Sequence, residues 1–203
     1  MAAGRSDRHA VRPLVIKVGG GLLGIPGALR EVCATIGVLG RQQAVVVVPG
    51  GGPLADLVRE LDRTVGLSDD TSHWMAMLAM DQYAHLLAER IEGAALVEEP
   101  GGIAATLRAG RVAVLAPSRW LRAADPLPHS WDATSDSVAA FVAGALDAKR
   151  LVLVKPAEVG DDGVDRCFVT VVPAGLEVDV VAWEGLRFLR FAQADGPASG
   201  RSH

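Results

Sequence analysis

Leu14-Val15-Ile16-Lys17-Val18-Gly19-Gly20-Gly21 is the stretch from which the rest of the chain can be read. A second stretch, Val45-Val46-Val47-Val48-Pro49-Gly50-Gly51-Gly52-Pro53, repeats its design. In each, a short apolar run reads as a buried strand, stops at a glycine cluster and gives way to a helical pattern. Glycine lets the backbone approach a ligand closely, and the N–H groups at a helix start attract anions. Lys17, at the end of its strand, is within reach of a phosphate held in that turn. A single glycine turn is what any strand-to-helix connection uses; two on neighbouring units, one with a lysine, point to a polyanion site. Neither matches the P-loop, and neither is a well-placed dinucleotide fingerprint. A nucleotide site here would be of another kind.

The 203 residues predict one domain with a substantial core, and half of them are hydrophobic while only 4% are aromatic. Val, Ala and Leu must therefore build the interior, which suits a parallel sheet covered on both faces. A formal net charge of -4 without a basic block argues against nucleic acid as a partner. No apolar stretch is long enough for a membrane span, and the polar start lacks a signal-peptide core, so a cytoplasmic protein is expected. Cys33 and Cys167 lie far apart and read as reduced, buried thiols. The five histidines show no zinc spacing, and no metal site is expected from the residues.

Residues 1–12 read as a polar tail, 13–191 as a single domain and 192–203 as a second polar tail. Helices are expected over 26–39, 54–65, 72–91, 103–109 and 138–146, with Pro53 in a first turn, Gly66 as a stop and 68–71 as capping residues. Strands are expected over 44–48, 94–97, 112–116, 151–154, 168–172 and 178–182, and 183–189 as a last short helix or turn. On the second helix Leu54, Leu57, Val58 and Leu61 share an apolar face. The third is rich in methionine (Met75, Met77, Met80), which reads as adaptable core packing. His73, Asp81 and His85 fall near one line of it, facing solvent, a subunit partner or a substrate. Asp161-Asp162-Gly163 reads as a turn.

Two further features bear on chemistry. His129, Trp131, Asp132 and Asp136 crowd in front of a helix start, where Ser135 or Asp136 alone would read as a cap. Lys155 ends a buried strand, the place where open α/β sheets hold ligands. Arg119 and Arg122 read as surface charge in preference to phosphate ligands.

The pattern Ile16-Lys17-Val18-Gly19-Gly20, Val48-Pro49-Gly50-Gly51-Gly52 and Ser135-Asp136-Ser137-Val138-Ala139-Ala140 resembles the amino acid kinases, the superfamily of aspartate, glutamate and uridylate kinases. The resemblance runs from about Leu14 to Ala182. It implies a three-layer αβα sandwich around a mainly parallel open sheet. It further implies that Lys17 contacts the transferring phosphoryl group, that Gly19, Gly20 and Gly21 bind ATP phosphates, and that Gly50, Gly51 and Gly52 hold the acceptor. Asp136 would orient the catalytic lysines. Where many members carry Thr-Asp, this chain has Lys155-Pro156, and Lys155 would serve as a second phosphate-binding lysine. The stretch after Gly160 is also shorter than in most members.

The run from Pro128 to Asp136 is most similar to a small branch that converts 5-(aminomethyl)-3-furanmethanol phosphate to its diphosphate, for methanofuran-type one-carbon cofactors. His129, Trp131 and Asp132 would then touch the substrate. ATP and Mg²⁺ are implied, with a small-molecule phosphate as the other substrate and a homo-oligomeric assembly. Kinases for another small phosphate or carboxylate (a nucleoside monophosphate, an isoprenoid phosphate, an amino acid) stay open. So does a non-catalytic anion- or nucleotide-binding protein on this fold.

Overall fold

Six apolar runs become six strands, and every pairing between them is parallel. The structure is a computed structural model and describes residues 12–157 and 163–189. In chain order the elements are β1 (Leu14–Val18), a 3-10 turn (Gly20–Gly24), α1 (Ala28–Gly40), β2 (Val45–Pro49), α2 (Gly52–Val65) and α3 (Asp69–Arg90). There follow β3 (Ala94–Val97), α4 (Pro100–Arg108), β4 (Val112–Leu115), α5 (Ser118–Ala124) and α6 (Ser135–Ala145). The chain closes with β5 (Arg150–Lys155), α7 (Phe168–Val171), β6 (Glu177–Ala182) and a 3-10 helix (Trp183–Phe188). Apart from Arg12, the expected tails lie outside the described residues, as do Asp161 and Asp162 of the expected turn.

The sheet order is β3-β4-β2-β1-β5-β6. The strand after β1 lies on one side of it, while the strand after β5 lies on the other. A crevice therefore opens between the carboxyl ends of β1 and β5, at the switch point where such sheets bind ligands. Alternation along the strands builds two cores. Leu14, Ile16 and Val18 pack with Val32, Cys33 and Ile36 of α1 and with Tyr83 and Leu87 of α3. Val15, Val46 and Val48 pack with Val138, Ala139 and Val142 of α6 and with Met77 and Met80 of α3. Two helical layers thus cover one sheet, giving the expected three-layer sandwich. Both cysteines are free and buried.

Three local readings change. Of residues 168–172, Phe168–Val171 form the short helix α7 instead of a strand: Asp165 accepts from the Phe168 N–H at 2.8 Å, which starts a turn. So short a run has no periodicity to separate the two possibilities. Helix α5 lies in a stretch with no expected element, and its cap comes from afar, since the Ser118 N–H donates to Asp81 Oδ1 at 3.0 Å. On α2, Leu57 is 56% exposed, so only part of the apolar face turns inward.

The two glycine clusters meet backbone to backbone. A Cβ on Gly20 would fall 2.2 Å from the nitrogen of Gly52, and one on Gly50 2.6 Å from the nitrogen of Gly20. Gly52 has φ +54, a conformation that a side chain disfavours. Gly20→Ala is therefore expected to destabilise the fold by about 3 kcal/mol, because backbone on the far side cannot give way. Gly24→Ala, with nothing within 4 Å of its added methyl, should stay within about 0.5 kcal/mol. Urea denaturation of both variants measures the difference.

Candidate active site

Lys17 occupies the fourth position of β1, so strand alternation turns it with Val15 toward α6, away from the α1 face. There it meets Asp136, in the first turn of α6. Lys17 Nζ lies 2.9 Å from Asp136 Oδ1, and Lys155 Nζ, from the end of β5, lies 2.5 Å from Asp136 Oδ2. All three side chains are at least 88% buried. Burial pushes the Lys17 pKa down, against the attraction of Asp136 and with a further push from Lys155. Desolvation would raise Asp136, yet the two ammonium groups together hold its carboxyl below the usual range. Two lysines thus share one carboxylate, and Asp165 also attracts Lys17.

The first turn of α6, where Asp136 sits, carries N–H groups that need a partner from outside the helix. Asp136 does not cap them. The capping carboxylate is Asp165, which accepts from the backbone N–H groups of Thr134 and Ser137, each at 3.0 Å, and from both of their hydroxyls. Sequence reasoning missed Asp165, because nothing local links it to a helix some thirty residues earlier.

The glycine clusters extend the ladder by one bond each: Gly19 N–H donates to Val154 carbonyl at 2.9 Å, and Gly50 N–H to Val18 carbonyl at 2.8 Å. Pro156 sits over the first cluster, so that a Cβ on Gly21 would meet its ring at 2.6 Å. On the α2 and α3 side, the clusters open into a cavity of about 240 Å³. Gly20, Gly21, Gly51 and Gly52 form one end of it, and Ser135, the neighbour of Asp136, also lines it. Lys17, Asp136 and Lys155 are not among its lining residues.

The expected substrate residues part company here. Trp131 lines the cavity, its Nε1–H donating to Asp62 at 2.8 Å and its ring facing the Arg59 guanidinium at 4.7 Å. His129 does not line it. Its Nδ1 lies 2.6 Å from Asp70 and its Nε2 2.9 Å from Asp125, a clamp suited to the imidazolium, which donates at both nitrogens. The hydrogen bond to Asp125 and that to Asp70 raise its pKa despite some desolvation. Its ring stacks on His73 at 4.1 Å, and His73 does line the cavity. Asp132 points to the surface beside Arg166, 3.7 Å away. The polar line on α3 splits three ways: His73 to the cavity, Asp81 to the α5 cap and His85 to solvent. Arg119 pairs with Glu98, and Arg122 lies over Trp74.

No group of three or more His, Cys, Asp or Glu able to hold a metal occurs among the described residues. Among those residues, too, no helix is long and apolar enough to cross a membrane. Comparison with known proteins adds the following. The model of the amino acid kinase family matches residues 12–158. A [5-(aminomethyl)furan-3-yl]methyl phosphate kinase from Methanocaldococcus jannaschii is 30% identical over 109 residues, 54% of this chain and 50% of that protein. The match thus spans half the length of that relative. Uridylate kinase from Archaeoglobus fulgidus superimposes with a TM-score of 0.57 at 23% identity, over 75% of this chain and 69% of that one. Aspartate kinase from Synechocystis does so with a TM-score of 0.56 at 17% identity, over 71% of this chain and 28% of that one. Both structures are similar in fold.

His73 gives the site a pH signature. Burial first, and then the charge of His129, push its pKa down to about 4; Arg122 pushes the same way, and Asp125 and Asp70 oppose it. Between pH 6.5 and about 4 the unfolded chain takes up a proton here that the folded chain refuses, so stability falls as pH falls through that window. His129 has the opposite sign: its stabilisation is complete below the unfolded value and fades as pH rises through its elevated folded one. His73→Phe is expected to shrink the stability loss between about pH 7 and about pH 4.5 by on the order of 2 kcal/mol. Urea unfolding across that range tests it.

Proposed function

This chain belongs to the amino acid kinase family, and on that premise we propose that it transfers the γ-phosphoryl group of ATP to a small phosphate monoester, giving a diphosphate. The observation that carries the reading is the Lys17–Asp136–Lys155 cluster, buried at the switch point of the sheet beside two interlocked glycine turns. Phosphoryl transfer asks little covalent help from a protein. It requires two anions held in line and their charge neutralised.

The acceptor occupies the cavity by Gly51, Gly52 and Trp131, and the ATP phosphates lie along Gly19, Gly20 and Gly21. Gly50, behind that cavity, sets the path of the second turn against Gly20. A second, larger cavity of about 750 Å³, lined by Pro156, Val181, Gly185 and Phe188 among others, takes the rest of the nucleotide. Because Pro156 packs on Gly21 and also lines that cavity, the first glycine turn stands between the two. An acceptor phosphate oxygen attacks the γ-phosphorus, the bond to the β–γ bridging oxygen breaks, and ADP leaves with that electron pair. A dianionic acceptor has no proton to lose, so no general base is needed. Lys17 and Lys155 lie where charge builds up, and Asp136 holds both ammonium groups in place.

Both oxygens of Asp136 are taken by lysines, and the described residues supply no carboxylate cage. Magnesium would enter with the nucleotide as Mg-ATP and would supply neutralisation of its phosphate charge.

The relative from M. jannaschii is named for [5-(aminomethyl)furan-3-yl]methyl phosphate, and the same compound is the acceptor proposed here. ADP release with this acceptor, a nucleoside monophosphate and an isoprenoid phosphate tests the reading, with ³¹P NMR to identify the diphosphate. Selective turnover of the furan phosphate is expected. Turnover of another acceptor alone would replace the substrate, and no turnover with any would turn the site into one for anion binding. Lys17→Ala and Lys155→Ala should each lower kcat by about 100-fold or more. Full activity in both variants would overturn the roles given to them.

A further inference from the structure

The cavity beside the glycine turns has a wall that phosphate chemistry leaves unexplained. Its charged lining residues, Asp56 and Arg59, already pair with each other at 2.8 Å. The rest of the lining is neutral: serine and threonine hydroxyls, small and sulfur-bearing apolar side chains, Trp131 and His73. His73 stands out among them. It is only 7% exposed, and among the described residues neither ring nitrogen has a hydrogen-bond partner, yet each keeps some exposure, since the fully buried side-chain atoms without a hydrogen bond are Tyr83 Oη and Asp136 Oδ1. A ligand that covers the imidazole without bonding to it leaves a nitrogen unpaired, which is costly.

Its orientation is nevertheless fixed. His129 stacks on one face at 4.1 Å, clamped by Asp70 at the start of α3 and by Asp125 just after α5. Trp74 meets the rings of His73 and His129 edge-on, at 4.8 and 5.1 Å, and carries the Arg122 guanidinium on its own face. Three parts of the chain, α3, the end of α5 and the loop carrying His129, thus hold a ring whose nitrogens have no partner among the described residues. The stacked imidazolium and Arg122 disfavour a second positive charge here, so His73 stays neutral and keeps a lone pair on one nitrogen.

Resting on the kinase reading for the phosphate end, we infer that His73 determines acceptor specificity: its ring accepts a hydrogen bond from a donor group on the acceptor, remote from the phosphate. The donor is an ammonium or a hydroxyl. Such a site rejects an analogue lacking the donor, because the imidazole is then left buried and unpaired.

The experiment compares three phosphate monoesters by isothermal titration calorimetry: [5-(aminomethyl)furan-3-yl]methyl phosphate, its hydroxymethyl counterpart and its methyl counterpart. Each is titrated into the wild type, His73→Phe and His73→Asn, with ADP release recorded separately. The wild type is expected to bind at least one donor-bearing ester about tenfold or more tightly than the methyl ester. Comparing the first two esters distinguishes ammonium from hydroxyl. His73→Phe should bind all three within about twofold of one another, the donor-bearing esters losing affinity and the methyl ester, freed of the unpaired imidazole, gaining it. His73→Asn, smaller and still able to accept, should recover part of the preference, and it carries the test if the phenylalanine variant does not fold. A wild type without preference, or a preference that survives in His73→Phe, overturns the inference. Preference without ADP release leaves His73 in its role and removes the kinase reading instead.

Discussion

One buried carboxylate between two lysines is the constraint to which the rest of this structure answers. Asp136 must reach β1 and β5 at once, so α6 has to begin at the carboxyl edge of the sheet with its first turn over the gap between them. That position commits Asp136 to the lysines and removes it from capping duty. The exposed N–H groups still need a partner, and Asp165 supplies one from the far side of β5. Breaking a buried ion cluster by removing one partner is far more damaging than never having built it. Here two cations share that one anion, and Asp165 is the next carboxylate to act on Lys17.

Glycine at the crossing of the two turns follows from the same geometry. With Lys17 fixed by Asp136, the chain leaving β1 must pass directly over the chain leaving β2, where Gly20 lies against Gly51 and Gly52. Any Cβ at the crossing would drive the turns apart. The close approach also brings the N–H groups of both turns to one small region, which is how a backbone without charged side chains can hold phosphate oxygens.

How much of this could be read in the chain depends on the range of the interaction involved. The strands and the glycine turns are local, and Val45 to Val48 or Leu151 to Val154 announce themselves as continuous apolar runs. Lys17 and Lys155 are legible too, because a lysine at the end of such a run has few other reasons to be there. The partners of those residues are another matter. The Asp81 cap of α5 and the Asp165 cap of α6 join residues far apart in sequence, and no spacing rule reaches them. The loop from Pro126 to Thr134 shows the same limit. Its aromatic and acidic crowding was visible, yet which side chain enters the cavity depends on α2 and α3: Asp62 holds Trp131 at the wall, while Asp70 and Asp125 pull His129 behind His73. The residue that faces the cavity is thus one step removed from the motif that drew the eye.

Glycine turns beside an otherwise neutral cavity wall form an arrangement with consequences of its own. A phosphate monoester is strongly polar at one end only. If both ends of its pocket were cationic, the phosphate could bind either way round, and half of the complexes would present the wrong atoms to the nucleotide. Here the charged lining pair, Asp56 and Arg59, neutralises itself, so the pull on a phosphate comes from the glycine turns and the lysine cluster beyond them. Neutral walls then discriminate by shape and hydrogen bonding, where the penalty for a wrong ligand is an unpaired buried group instead of a lost charge. On the proposed reading, electrostatics would set orientation and the wall identity, with the loop from Pro126 to Thr134 and the first turns of α3 supplying that wall.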